Sequence, residues 1–198
     1  MFVIGLTGSI AMGKTVTAGL FADAGVPVHD ADATVHRLYN SEAAPAIEAA
    51  FPGTTRDGKV DRDALSRRVL GDAPALKRLE AIVHPLVRKA EERFLKRAEA
   101  AGAKIVVLDI PLLFETGGDS RVDAVVVVSA PADLQRKRAL ERGLSAERLD
   151  ALLARQMPDS EKRRRADFVV DSSQGIEHAR AQVHAILAAV AKMPKRRP

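Results

Sequence analysis

Apolar residues in this chain fall into short unbroken runs, separated by longer stretches whose apolar positions recur at helical spacing. Ile105-Val106-Val107-Leu108 and Val125-Val126-Val127-Val128 carry no polar alternation, the mark of strands covered on both faces. The pattern predicts strands at Val3–Thr7, Val26–His29, Lys104–Asp109, Ala124–Ser129 and Phe168–Asp171. Amphipathic stretches between them complete a βαβ alternation, which implies a parallel sheet with helices on both faces. The first helix is expected from Lys14 to about Ala24, with Gly25 as the residue that ends it.

The second and third strands lie about 75 residues apart, far more than one crossover needs. That insertion reads as helices at Ala31–Tyr39, Ala44–Phe51, Arg62–Leu70, Pro74–Val83 and Leu86–Ala101. Asp61 and Asp72 are expected as N-caps, and Pro85 as a break or kink. A helical lobe is therefore predicted at the second crossover, where connections border the ligand crevice of a parallel sheet. A further helical pair, Pro131–Arg142 and Ala146–Gln156, precedes the last strand, and Ile176–Ala191 closes the fold.

Composition narrows the partners. The chain has 198 residues, 46% hydrophobic and 29% charged, which suits one domain with a sizeable core. It has no cysteine, which removes disulfides and thiolate metal sites and fits a reducing cytoplasm. No apolar run approaches membrane-span length, and no basic-then-apolar leader precedes the first strand. A cytoplasmic protein without a membrane partner is expected. The net charge of +5 suits an anionic small molecule as well as it suits nucleic acid. With one tyrosine and no tryptophan, stacking platforms for bases are scarce. The clusters Lys162-Arg163-Arg164-Arg165 and Lys195-Arg196-Arg197 read as a solvated helix end and a frayed terminus, so no nucleic-acid partner is expected.

The chemistry enters at Gly8-Ser9-Ile10-Ala11-Met12-Gly13-Lys14-Thr15, which fits G-x-x-x-x-G-K-[ST] between a predicted strand and a predicted helix. A glycine-rich turn lets successive N–H groups face phosphates, and the helix that follows adds its positive end. Lys14 reaches the β/γ-phosphates of a nucleoside triphosphate, and the Thr15 hydroxyl suits Mg²⁺. The second strand leads into Asp30-Ala31-Asp32. Asp30 is a natural N-cap, whereas Asp32 is the carboxylate expected to orient or deprotonate an attacking hydroxyl. Asp109 ends an apolar strand, a position for a metal-shell or substrate-orienting group. Arg138 and Arg142, four apart on one helix, are placed to close over phosphates as part of a lid, or to be solvated.

Taken in order, several segments resemble dephospho-coenzyme A kinases. They are Gly5–Thr15, Asp30-Ala31-Asp32, His84-Pro85-Leu86, the run Asp109-Ile110-Pro111-Leu112-Leu113-Phe114-Glu115, Gln135 with Arg138 and Arg142, Gln156, and Ala166–Asp171. The resemblance implies an α/β fold of P-loop three-layer αβα type, with a five-stranded parallel sheet, an inserted helical substrate lobe and a helical lid. The nucleotide-binding core would comprise residues 1–30, 103–130 and 166–193, the acceptor lobe 31–102 and the lid 131–157. It implies phosphorylation of the ribose 3′-hydroxyl of dephospho-CoA by ATP with Mg²⁺. Asp32, Lys14 and Arg142 would be catalytic. Gly8, Ala11, Met12, Gly13, Lys14, Thr15, Val16 and Arg138 would contact ATP; Thr7, Asp32, His84, Asp109 and Leu113 the acceptor; Thr15 and Asp109 the metal.

The chain departs from the family pattern at Ala11, where glycine is usual, and alanine resists a positive φ. His29 and Ser172 also depart, replacing an aliphatic residue and asparagine, at positions expected to stand clear of the chemistry. The competing readings are a kinase for a nucleoside monophosphate or sugar acid, a GTP-dependent switch, and an inactive binding module. A switch needs an Asn-Lys-x-Asp element that this sequence lacks, and retention of Lys14, Thr15, Asp32 and Asp109 together weighs against the last.

Overall fold

The computed structural model describes residues 1–196. The described chain divides into two compact units, one of residues 1–29 and 98–196 and one of residues 30–97.

The first unit is built on strands β1 (Phe2–Thr7), β2 (Val28–Asp30, whose last residue opens the second unit), β5 (Ile105–Asp109), β6 (Ala124–Ser129) and β7 (Phe168–Asp171), in the sheet order β2-β5-β1-β6-β7. β1 pairs in parallel with β5, setting Leu6 opposite Asp109, and with β6 on its other side. Every residue of β1 and β6 is buried, which is why their sequences are apolar without alternation. Helices α1 (Lys14–Asp23), α6 (Ala132–Glu141), α7 (Ala146–Leu153), α8 (Asp159–Arg165) and α9 (Ile176–Val190) follow their strands. Phe21 of α1 with Val183 and Ile186 of α9 packs onto Ile4, Val126 and Val128 of the sheet.

Crossing from β1 to β2 on one side, and from β5 to β6 on the other, leaves a switch point at the carboxyl end of β1. Ligands of parallel sheets bind there. The opposite end is closed by two aspartates. Asp123 accepts from the N–H groups of Val3 (2.7 Å) and Arg196 (3.0 Å), and Asp167 accepts from Val125 N–H and the Arg196 guanidinium, the latter at 2.7 Å. Arg196 is thus a strap, not the frayed end expected; Arg197 lies outside the described residues.

The second unit holds α2 (Ala31–Tyr39), α3 (Ala44–Ala50), a hairpin of β3 (Thr55–Arg56) and β4 (Lys59–Val60), α4 (Arg62–Val69) and most of α5 (Ala73–Ala100). Its own core gathers Leu38, Ile47, Phe51, Leu65, Leu79 and Val83. Asp61 and Asp72 cap as expected, Asp61 Oδ1 accepting from Ala64 N–H at 3.0 Å and Asp72 Oδ1 from Ala75 N–H at 2.9 Å. Two features here differ from the sequence reading. The hairpin was not foreseen, although Asp57-Gly58, both at positive φ, is a two-residue turn of the kind hairpins favour. Its strands are too short to show alternation. Pro85 does not break α5, which runs unbroken for 28 residues. The missing Pro85 N–H costs one backbone bond, and burial of Leu79 and Val83 on the same helix offsets it.

Candidate active site

Residues Gly8–Gly13 bridge the carboxyl end of β1 and the first turn of α1. The passage is tight: a Cβ on Gly8 would stand 2.7 Å from the carbonyl oxygen of Val128 in β6, so only glycine fits. Gly13, at φ +95°, is the N-cap of α1 and gives it no side-chain acceptor. The first turn of α1 also lacks any acidic residue. Its N–H groups and dipole are therefore uncompensated, a ready anion site. Thr15 and Val16 are exposed in that turn. Ala11 adopts φ +61°, which costs an alanine roughly 1–2 kcal/mol.

Lys14 Nζ lies 2.6 Å from Asp109 Oδ1, whose side chain is 4% exposed. The pairing follows from the register, since Asp109 ends the strand beside β1. Thr7, fully buried, donates its hydroxyl to the carbonyl of Pro111 at 2.9 Å and ties down the loop after β5. Leu113 of that loop is wholly buried, and a Cβ on Gly5 would meet its Cδ2 at 2.8 Å. The structure thus gives Leu113 a packing position.

Arg138 on α6 donates from Nη1 to Ser172 Oγ (2.9 Å) and from Nη2 to the Ser172 carbonyl (2.7 Å). Ser172 Oγ donates in turn to the Met12 carbonyl at 2.7 Å. This corrects the expectation that Ser172 stands clear of the chemistry: its hydroxyl links Arg138 to the phosphate loop. Arg142 is exposed at the C-cap of α6. A cavity of about 590 Å³ opens beside Met12, lined also by Ser129, Pro131, Gln135, Asp159 and Arg163.

Glu115 ties the loop after β5 to the segment after α7. Its Oε1 accepts from Met157 N–H at 2.8 Å and lies 2.9 Å from Nζ of Lys162. Burial alone would raise its carboxyl, but Lys162 and the Met157 N–H together hold it below the usual glutamate range. The Lys162 side chain is fully buried, so the first basic cluster is a helix end as read, yet its lysine is not solvated.

Asp32 and His84 belong to the second unit. Asp30 caps α2, accepting from Ala33 N–H at 2.9 Å. Asp32 is exposed in the first turn of α2, directly beyond β2. His84 lines a groove of about 420 Å³ on α5 with Glu80, Arg88, Lys89 and Glu92. The pattern of residue types did not single out Ser172, Gln135, Gln156 or Lys162 as contacts, because partners tens of residues or more away in the chain leave no local signal.

A phosphate loop at the switch point of a five-stranded parallel sheet, with a lysine and an arginine-bearing helix beside it, defines an α/β protein of the P-loop kinase class. A narrower assignment follows from comparison. A family profile described as dephospho-CoA kinase matches residues 2–178, and the chain belongs to that family. A dephospho-CoA kinase of Rhodopseudomonas palustris strain BisB18 is 65% identical over the whole of both chains. A crystal structure from Thermus thermophilus superposes with a TM-score of 0.85 at 38% identity, covering 98% of each chain. Dephospho-CoA kinase from Campylobacter jejuni gives 0.66 at 26% identity, covering 95% of this chain and 96% of its own. No helix among the described residues is long and apolar enough to cross a membrane.

Proposed function

We propose that this protein phosphorylates the ribose 3′-hydroxyl of dephospho-CoA with ATP, giving coenzyme A and ADP in the last step of coenzyme A biosynthesis. The observation that carries the reading is the uncapped, acid-free N-terminus of α1, whose first residue, Lys14, is paired with Asp109. Its N–H groups form an anion cradle, and Lys14 has a carboxylate to leave when phosphate arrives. The family match supplies the acceptor.

In this reading Asp32 accepts the proton of the 3′-hydroxyl as its oxygen bonds to the γ-phosphorus. The bond from that phosphorus to the β–γ bridging oxygen breaks, and ADP leaves with the electron pair. Lys14, the loop N–H groups and Arg138, with Arg142 brought in by the lid, balance the charge that spreads over the phosphoryl oxygens. The family resemblance assigns His84 and the segment from Asp109 to Leu113 to the acceptor, and Thr7 and Leu113 serve it by fixing that segment.

The donor set also fits Mg²⁺. Hard oxygen ligands are present in the Thr15 hydroxyl and the Asp109 carboxylate. A cation that arrives with ATP needs only one or two protein oxygens, so the lack of any cluster of three carboxylate or histidine side chains among the described residues is no obstacle. Thr15 and Asp109 would hold the ion, which would supply positive charge to offset that of the triphosphate. We place the reaction in the cytoplasm.

The test is ADP release with Mg-ATP in the presence of dephospho-CoA, AMP, gluconate or no acceptor. Selective stimulation by dephospho-CoA, with coenzyme A formed, is expected. Stimulation by another acceptor instead overturns the substrate assignment.

A further inference from the structure

Ala11 keeps a backbone conformation that alanine disfavours, and the contacts around it come from the lid segment. Met12 N–H donates to Ser9 O at 3.2 Å and closes a four-residue turn. Positive φ at its third residue, Ala11, is the type II form. In that form the central peptide, Ile10–Ala11, is turned over relative to the type I turn, whose third residue takes the negative φ that alanine prefers. Gln135 on α6 reaches this same peptide, its Nε2 donating to the Ile10 carbonyl at 2.8 Å. The Ile10 N–H donates to Gln156 Oε1 at 3.2 Å. Gln135 is 6% exposed, so water competes little for its bond. The Ala11 methyl packs with Ala139 of α6 and Leu149 of α7.

We infer that Gln135, assisted by Gln156 and by the seat for the Ala11 methyl, is a positioning residue that holds the Ile10–Ala11 peptide in its turned-over form. The Ile10 carbonyl and the Ala11 N–H point opposite ways across a planar trans peptide. A carbonyl drawn toward α6 therefore aims the Ala11 N–H away from the helix, into the cradle where phosphate binds. Without the grip, the peptide turns back, Ala11 relaxes to negative φ, and the cradle loses a donor. Lid and loop are then one coupled element: separating α6 from the loop loosens its hold on phosphate. The inference rests on the phosphate-loop reading above.

The test is calorimetric binding of inorganic pyrophosphate to the full chain carrying Gln135→Ala, Ala11→Gly, or both. Gln135→Ala is expected to weaken binding ~10-fold, the loss of about one well-made buried hydrogen bond. Glycine accepts positive φ without help, so adding Ala11→Gly should restore most of that loss. A merely structural role for Gln135 predicts no such rescue. Pyrophosphate binding by Gln135→Ala equal to wild type, or weaker binding by the double variant than by Gln135→Ala, overturns the inference. If the alanine variant does not fold, Gln135→Glu carries the same expectations, since it keeps the size and loses the N–H donor at neutral pH. Failure of the wild type to bind either pyrophosphate or ATP would instead overturn the phosphate-loop reading.

Discussion

Replacing Glu115 by alanine tests how the loop after β5 is held to the segment beyond α7. The change removes the carboxylate 2.9 Å from Lys162 Nζ, a side chain with no exposure, and the acceptor of the Met157 N–H. An ammonium left buried without its counter-charge costs about 3–5 kcal/mol. For a chain of this length each kcal/mol lowers the melting temperature by roughly 2–4 °C, so a fall on the order of 10 °C is expected. The reverse change is milder. Lys162→Met fills similar volume with an apolar side chain, while Glu115, 17% exposed, still accepts from Met157. Its cost is expected near ~1 kcal/mol or less, and Glu115→Leu combined with Lys162→Met should recover most of the single loss. Urea midpoints and melting temperatures of the three variants provide the assay. A Glu115→Ala loss under about 1 kcal/mol, or Lys162→Met as the worse single change, would refute the argument from a buried, uncompensated charge.

The same pair carries a pH signature. Because Glu115 titrates below its ordinary range in the folded chain, its contribution is complete above the unfolded value of about 4.3 and disappears as pH falls through the folded one; the stability gap between wild type and Glu115→Gln should shrink on acidification below about pH 4 and persist at pH 7. Asp32→Asn should leave ATP binding nearly intact while lowering kcat by ~10² or more, as for a lost general base; wild-type turnover in that variant removes Asp32 from catalysis. Gly8→Ala drives a Cβ to 2.7 Å from the Val128 carbonyl, costs about 1–3 kcal/mol in forced backbone shift, and should weaken ATP binding measurably by calorimetry. Gly19→Ala is its counterpart: the new Cβ meets nothing within 4 Å inside α1, so stability should rise by roughly 0.5–1 kcal/mol in the same melts.

The amino-acid sequence alone determined the sheet and the loop. β6 and β7 fall where the apolar runs place them, and β1 and β5 begin within one residue of expectation, because a strand buried on both faces has no freedom to carry polar positions. The phosphate loop was legible because backbone–anion contact requires glycine and lysine at fixed spacing within eight residues. The short hairpin at Asp57-Gly58 and the continuity of α5 through Pro85 were not legible, since each depends on what the neighbouring core of the second unit offers. Only the tertiary structure decided which partners meet across the chain. Lys162 and Arg163 are adjacent basic residues in one helix, yet one is wholly buried on Glu115 and the other half-exposed on Asp159. Gln135 and Ile10 stand 125 residues apart and share a hydrogen bond. Local sequence sets the conformations a segment prefers, whereas burial of charge and gripping of single peptides depend on surfaces that exist only once distant segments have packed.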